Sequence, residues 1–451
     1  MDCISINMDP TVADIFNYST EVKSNGIDAQ RTDEIKKRIA DSLFVAYAAS
    51  KSEPVSLGRK ALLPSKGKYN STIFFTGEKA SADVATFLNG SMTRYLDYSD
   101  TYLSKEALHP SDNIPPILAM AEPFESTGSD IIKAIDVAYE TVGSLSDAVS
   151  IRDRGWDHVT YISISSAAGI GNLLDMDESH FENLLNLGIN SNISLRQTRS
   201  GELSMWKGTT AANASRNTVF AACLALNGFT GPSPIFHGEM GFIKQVSGPL
   251  DLSIGKRRVM RTMIKNYPVE YHAMSAVEAA LKIRGKITGG IKKISVETFE
   301  VANKIIIKDP EKLRPGTKET ADHSMPYLIA YSLVYGDPTP DSYTPHFLSD
   351  PKILSLIDKS SYTVTERFNR MYPEFLPVRI TVETDKQTVT EELDVPKGHH
   401  RKPYTWEDVL AKGMKVMSER SANDVVNIAK RFDRSDTTEL MEVIKNVRDA
   451  R

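Results

Sequence analysis

Four of the nine histidines in this 451-residue chain stand in company that could move protons. His109 is followed by Pro110 and Ser111 and closes a stretch, Met92–Ile114, that also carries Asp97, Tyr98, Asp100 and Thr101. His158 follows Asp157, whose carboxylate could orient its ring. His272 ends the run Lys265-Asn266-Tyr267-Pro268-Val269-Glu270-Tyr271-His272, and His323 lies between Asp322 and Ser324. Histidine is the usual general acid or base because its ordinary pKa lies nearest neutrality, although many histidines are only turn, cap or core residues. Between the second and third of them, Ile193–Gly208 has no clear period and holds Arg196, Arg199 and Lys207. Cations beside histidines and carboxylates suit removal of a proton next to a carboxylate with expulsion of a hydroxyl. That chemistry needs a base, an acid and positive groups to hold carboxylates. Taken alone, Met92–Ile114 also reads as a helix end, a polar loop and the cap of the next helix, and the three cations as a solvated loop.

Composition narrows the alternatives. A charge of −4 with no basic excess argues against a nucleic-acid partner. No apolar run approaches the roughly 18 residues of a membrane span, so no membrane partner is expected. The opening MDCISINMDP lacks the basic-then-apolar layout of a secretory signal, and the expected compartment is the cytoplasm. Cys3 and Cys223 are the two cysteines, too few for a disulfide framework, a cysteine-rich zinc site or an iron–sulfur cluster within one chain. No HExxH spacing, phosphate loop or GxSxG elbow occurs, so neither metal nor cofactor is expected. Gly169-Ile170-Gly171 follows no strand and is discounted as a dinucleotide loop.

The positioning elements are mainly helical. Apolar residues recur at helical spacing in Asp33–Ala49, Ser81–Gly90, Asn113–Ala121 (capped by Ser111 or Asp112), Gly128–Leu145 (capped by Ser129), Tyr161–Leu174 and Thr209–Asn227. From Lys265 the character changes. Lys292–Val301, Val378–Thr384 and Val389–Val395 alternate as strands, with helices at Asp322–Gly336 and Lys352–Lys359 between them. Trp406–Glu419 and Asp436–Val447 are helical again. The expected fold is mainly α with an α/β part: a large helical domain (1–264 and 401–451) interrupted by a smaller α/β domain (265–400). A crevice between two such bodies is a usual place for a small-molecule site.

The runs NGSMTRYLDYSDTYLSKEALHPSDNI, GWDH, LSMWKG, KNYPVEYHAMSAVEAA, ETADHSMPYLIA and PKGHH resemble, in order, the MmgE/PrpD family over most of the chain. The resemblance implies a helical domain with an α/β lid, a homodimer, and an active-site cleft around Asp97, Thr101, His109, His158, Lys207, Lys265 and Tyr327. Two departures from the family's cis-aconitate decarboxylases point to its 2-methylcitrate dehydratases. Asp112 follows Ser111 where that branch has glycine, and Glu270 stands where it has a histidine, with His272 two residues later. The expected reaction is metal-independent dehydration of 2-methylcitrate to 2-methyl-cis-aconitate in propionate catabolism (the methylcitrate cycle), with citrate as a weaker substrate. Lys265, Lys207, Arg199, Thr101 and His272 are expected to hold substrate, and His109 or His158 to take the proton. Asp97 would orient a histidine or act as base, and another of these groups or Tyr327 would protonate the leaving hydroxyl. Decarboxylation, epimerisation, or tricarboxylate binding without catalysis are the alternatives.

Overall fold

The computed structural model describes residues 8–201 and 203–447. The amphipathic stretches of the first half form α1 (Pro10–Asn25), α2 (Ala29–Ala49), α3 (Glu53–Leu62), α4 (Ala82–Arg94), α5 (Ile114–Ala121), α6 (Gly128–Ala148), α7 (Val159–Leu173), α8 (Glu178–Asn190) and α9 (Thr210–Ala225). A small hairpin, β1 (Asn70–Thr72) and β2 (Lys79–Ser81), precedes α4. Two caps differ from expectation. Thr127, not Ser129, accepts from the Asp130 N–H at 3.2 Å to start α6. Neither Ser111 nor Asp112 caps α5, whose Pro115 and Pro116 remove two of the amide donors a cap would satisfy. The Ser111 N–H instead donates to Asp100 Oδ1 at 2.9 Å. Gly169 serves close packing, since a Cβ there would lie 2.9 Å from the Ala134 carbonyl of α6.

The last helices return to this body. Trp406–Met414 and Glu419–Lys430 pack on α2, and their buried Val409, Val425 and Ile428 share its hydrophobic cluster. The helix expected over Trp406–Glu419 stops at Met414, because Ser418 caps a separate helix by accepting from the Ser421 N–H. Lys412, buried, donates to the Tyr98 carbonyl at 2.9 Å and pairs with Asp41, so the C-terminal part braces the Met92–Ile114 stretch from below.

A second body follows Met263. It holds α10 (Met274–Arg284) and the strands β3 (Ile291–Thr298), β4 (Ser360–Val364), β5 (Val378–Thr384) and β6 (Thr388–Leu393), in the sheet order β4-β3-β5-β6. β3 and β4 are parallel and the other pairs antiparallel, with Val296 opposite Ile380 and Ile294 opposite Val382. α10 and the helix Met325–Val334 pack together, and α10 lies on β5 and β6. β4 escapes the periodicity reading because it is an edge strand with no buried residue. Apolar residues up to Ile264 and from Tyr404 onward form one cluster, and Met263–Val382 forms the other, joined by Leu103. On these two clusters we propose the division 1–264, 265–400 and 401–451. Among the described residues no helix is long and apolar enough to cross a membrane.

Candidate active site

Where α4 ends, the chain turns at Asp97 with a left-handed φ of +52°, a conformation that aspartate tolerates better than most residues. Four residues on, Thr101 exchanges backbone hydrogen bonds with Met263 (2.9 and 2.8 Å), tying this turn to the entry of the second body. The result is a cavity of about 290 Å³ lined by both bodies, close to the small end of the range for small-molecule sites. Among the described residues, eight cations, five carboxylates and four histidines line it. A cavity with that balance favours an anion.

Asp97 is the electrostatic hub. Its Oδ1 lies 2.6 Å from Lys265 Nζ and 3.1 Å from Arg94 Nη1, and its Oδ2 lies 2.9 Å from Lys207 Nζ. Burial pushes this carboxyl up, but Arg94, Lys207 and Lys265 together hold it well below the usual carboxylate range. So strongly stabilised an anion is a poor proton acceptor, and its role here is to gather cations. Lys265 spends its donors on Asp97 Oδ1, the Asp97 carbonyl (2.8 Å) and the Val269 carbonyl (3.0 Å). Lys207 has one protein acceptor among the described residues and keeps donors for a ligand. Arg94 is buried with Nε and Nη1 lacking any hydrogen-bond partner among the described residues, an arrangement that a ligand carboxylate would complete. Behind it, 4.0 Å from Nε, lies Asp112 Oδ2, also without a hydrogen-bond partner among the described residues. Burial pushes the Asp112 carboxyl up to about 7 against the pull of Arg94.

The histidines differ in what their rings have free. His109 Nδ1 is 2.6 Å from the Asp100 carbonyl, which can only accept, so Nδ1 carries the proton. The neutral ring therefore offers an open Nε2, which lies 3.8 Å from Asp97 Oδ1. Burial, then Arg94 and Lys265, keep its pKa well below the ordinary histidine value. His158 stands beside it, with ring centres 6.2 Å apart. Its Nδ1 is 3.3 Å from Asp157 Oδ1, and its Nε2 has no hydrogen-bond partner among the described residues. Burial depresses its pKa, against the opposing pull of Asp157. Asp157 also holds Arg199, whose Nε lies 2.8 Å from Oδ2 as an ion contact rather than an aligned hydrogen bond. His323 bonds Asp322 through Nδ1 and points Nε2 at Asp97 Oδ2, 3.6 Å away.

Of the expected site residues, Asp97, Thr101, His109, His158, Arg199, Lys207, Lys265 and His272 line the cavity. His272 does so with no ring nitrogen free: Nδ1 meets Glu270 at 2.7 Å and Nε2 the Tyr372 hydroxyl at 3.2 Å. Tyr327 requires a correction. It is absent from the cavity wall and fully buried in the second core, where its hydroxyl donates to the Ser342 carbonyl at 2.5 Å. It cannot protonate a leaving group from there. Tyr327→Phe is expected to cost about 1–3 kcal/mol of stability by orphaning that carbonyl, with kcat essentially unchanged. A large fall in kcat at unchanged stability, measured by denaturant unfolding alongside the assay, would restore its catalytic assignment. Two groups were not assigned from sequence. Arg94 reads there as an ordinary last-turn helix cation, although its i,i+3 relation to Asp97 is a usable signal. His323 stands among the four candidate histidines and within the run ETADHSMPYLIA, but neither signal gives it a role.

Asp97, Asp322 and His323 bring three potential metal-ligand atoms within 4.8 Å of one another. Their charge is already matched by Lys207, Lys265, Arg94 and, 2.8 Å from Asp322, Lys318. A divalent ion would have to displace or repel these cations, so the donor set does not fit one. Cys223 lies on α9 away from the cavity, and Cys3 lies outside the described residues.

Two family models match: the MmgE/PrpD N-terminal domain over residues 13–254 and the MmgE/PrpD C-terminal domain over residues 267–438. The chain belongs to the MmgE/PrpD family. Among relatives of this MmgE/PrpD chain, a mitochondrial 2-methylcitrate dehydratase of Yarrowia lipolytica is 28% identical over 343 residues, covering 69% of this chain and 65% of that protein. The match thus spans just under two thirds of the Yarrowia protein. The 2-methylcitrate dehydratase of Escherichia coli K12 is 28% identical over 391 residues, covering 80% of this chain and 78% of its own. A fungal alkylcitrate dehydratase is 28% identical over 441 residues, covering 89% and 86%.

Proposed function

We propose that the cavity is the active site of a metal-independent hydro-lyase that converts 2-methylcitrate to 2-methyl-cis-aconitate in the methylcitrate cycle of propionate catabolism, and citrate more weakly. The observation that carries this reading is a histidine with an open basic nitrogen, His109, set among buried cations with unused donors. The names of the relatives support a hydro-lyase acting on a citrate-type substrate.

In this reading Arg94, Lys207 and Arg199 take the substrate carboxylates, with Lys265 adding charge through Asp97. His109 Nε2 removes the proton from the carbon next to a carboxylate. The C–H electron pair becomes the new C=C bond as the C–O bond of the neighbouring carbon breaks. His158, supported by Asp157, donates the proton with which the hydroxyl leaves as water. Burial first, then Arg199 and Arg94, hold the His158 pKa down, and the negative charge of bound carboxylates raises it toward the protonated form that this step requires. His109 loses and His158 regains a proton before the next turnover.

The test is incubation with 2-methylcitrate after chelator treatment, followed by the ultraviolet absorbance of the unsaturated product. Turnover is expected. Loss of all activity on removing metal contradicts the metal-free step, and carbon dioxide with itaconate from cis-aconitate would move the reaction to decarboxylation. Binding of tricarboxylates with no turnover of any would make the chain a binding protein.

A pH profile follows from the same geometry. His109 acts as base in its neutral form, and its depressed pKa keeps that form present below the ordinary histidine value. The acid limb of kcat/KM is therefore expected below about pH 6.5. Bound carboxylates raise the histidine pKa, so the limb of kcat should lie at higher pH than that of kcat/KM. Coincident limbs would contradict this. A limb near 7 that vanishes in Asp112→Asn would belong to Asp112 instead.

A homodimer is part of the proposal. Half of the twelve large exposed apolar side chains among the described residues fall between positions 195 and 240: Leu195, Met205, Trp206, Phe220, Phe229 and Met240. Exposed large apolar side chains, where they adjoin on the surface, mark association sites. Sedimentation is expected to give twice the 50.0 kDa chain mass, and a 50.0 kDa species would contradict it.

A further inference from the structure

The cavity lining is not made of charged residues alone. Leu103, Ala107 and Ile305 line it too, and all three belong to or pack against the hydrophobic cluster of the second body. Leu103 and Ala107 sit at the base of a short loop closed by paired backbone hydrogen bonds between Tyr102 and Leu108 (2.9 and 3.1 Å). That loop leaves the helical body and seats Leu103, only 5% exposed, in the core of the other. Ile305 comes from the helix Glu300–Ile306, whose Ala302 and Ile306 are buried in the same core. Leu103 is therefore anchored in that core, and Ala107 and Ile305, partly buried, pack against it.

Citrate presents carboxylates and a hydroxyl and gains little from such a wall. A tricarboxylate with an alkyl branch leaves water there. We propose that Leu103, Ala107 and Ile305 form an alkyl subsite that selects tricarboxylates bearing a short alkyl branch over citrate itself. The inference rests on the dehydratase reading and deepens it. One methyl group in an apolar pocket changes kcat/KM by roughly tenfold to 200-fold, and that is the discrimination expected of the wild type between 2-methylcitrate and citrate.

The experiment compares kcat/KM for citrate, 2-methylcitrate and a longer-chain alkylcitrate in the wild type, Ala107→Leu, Ile305→Ala and the conservative Ile305→Val. Ala107→Leu fills the subsite and is expected to lower the 2-methylcitrate-to-citrate ratio by about tenfold or more. Ile305→Ala enlarges it and should shift preference to the longer chain, with Ile305→Val shifting it less in the same direction. Unchanged substrate ratios in Ile305→Ala and Ile305→Val would overturn the subsite while leaving the dehydratase reading intact. Turnover of none of the three substrates by the wild type would overturn that reading and the subsite with it.

Discussion

Replacing His109 with asparagine is expected to lower kcat by about 10²–10⁴-fold, the usual contribution of one general base, with little change in stability. Asparagine is the informative choice. Its side-chain amide can donate to the Asp100 carbonyl as His109 Nδ1 does at 2.6 Å, so the loop keeps its anchor while the open Nε2 is lost. KM should change less than kcat, because Arg94 and Lys207 remain to hold carboxylates. Near-normal kcat in a folded His109→Asn protein would remove His109 from the reaction and leave His158 or His323 as the base.

Asp97→Asn is expected to have the largest effect on the protein itself. The carboxylate is 2% exposed and faces Arg94, Lys207 and Lys265 at 2.6–3.1 Å. Removing one partner from a buried ion cluster leaves charge uncompensated, at a cost of about 3–5 kcal/mol. Asparagine can still accept from one of these cations, but it cannot neutralise them. The same cations form the anion site, so a tricarboxylate should recover part of the loss, on the order of 2.7 kcal/mol at a hundredfold excess over its dissociation constant. Denaturant unfolding with and without citrate measures both terms. Unchanged stability would mean that Asp97 is not the hub, and a loss that citrate does not reduce would separate the hub from the ligand site.

The long helices were legible in sequence because their buried faces repeat at helical spacing, and β5 matches its alternating stretch residue for residue. α1 was not read, although Asp9 before Pro10 is a local start signal that its polar-rich sequence obscured. Asp9 caps it through Thr11 N–H while also accepting from the amides of Phe236 and His237. The site was legible as a set of residue types, but its division of labour was not. Nothing in the spacing says that the Asp100 carbonyl fixes the His109 tautomer, or that Glu270 and Tyr372 close both nitrogens of His272. Tyr327 illustrates the same limit, since a residue within a family motif can face the core as readily as the cleft. Asp112-Asn113 looks like a helix cap in sequence and is something else in space. Asn113 is satisfied by Ser165, Ser166 and the Pro110 carbonyl, whereas Asp112 Oδ2 has no hydrogen-bond partner among the described residues and lies behind Arg94.

The most direct test of the whole account is a structure with 2-methylcitrate or citrate bound. One carboxylate is predicted to lie on Arg94 and Lys207, with the carbon that loses its proton within reach of His109 Nε2, between the two bodies. A ligand held wholly within the α/β body, away from His109 and Arg94, would contradict it.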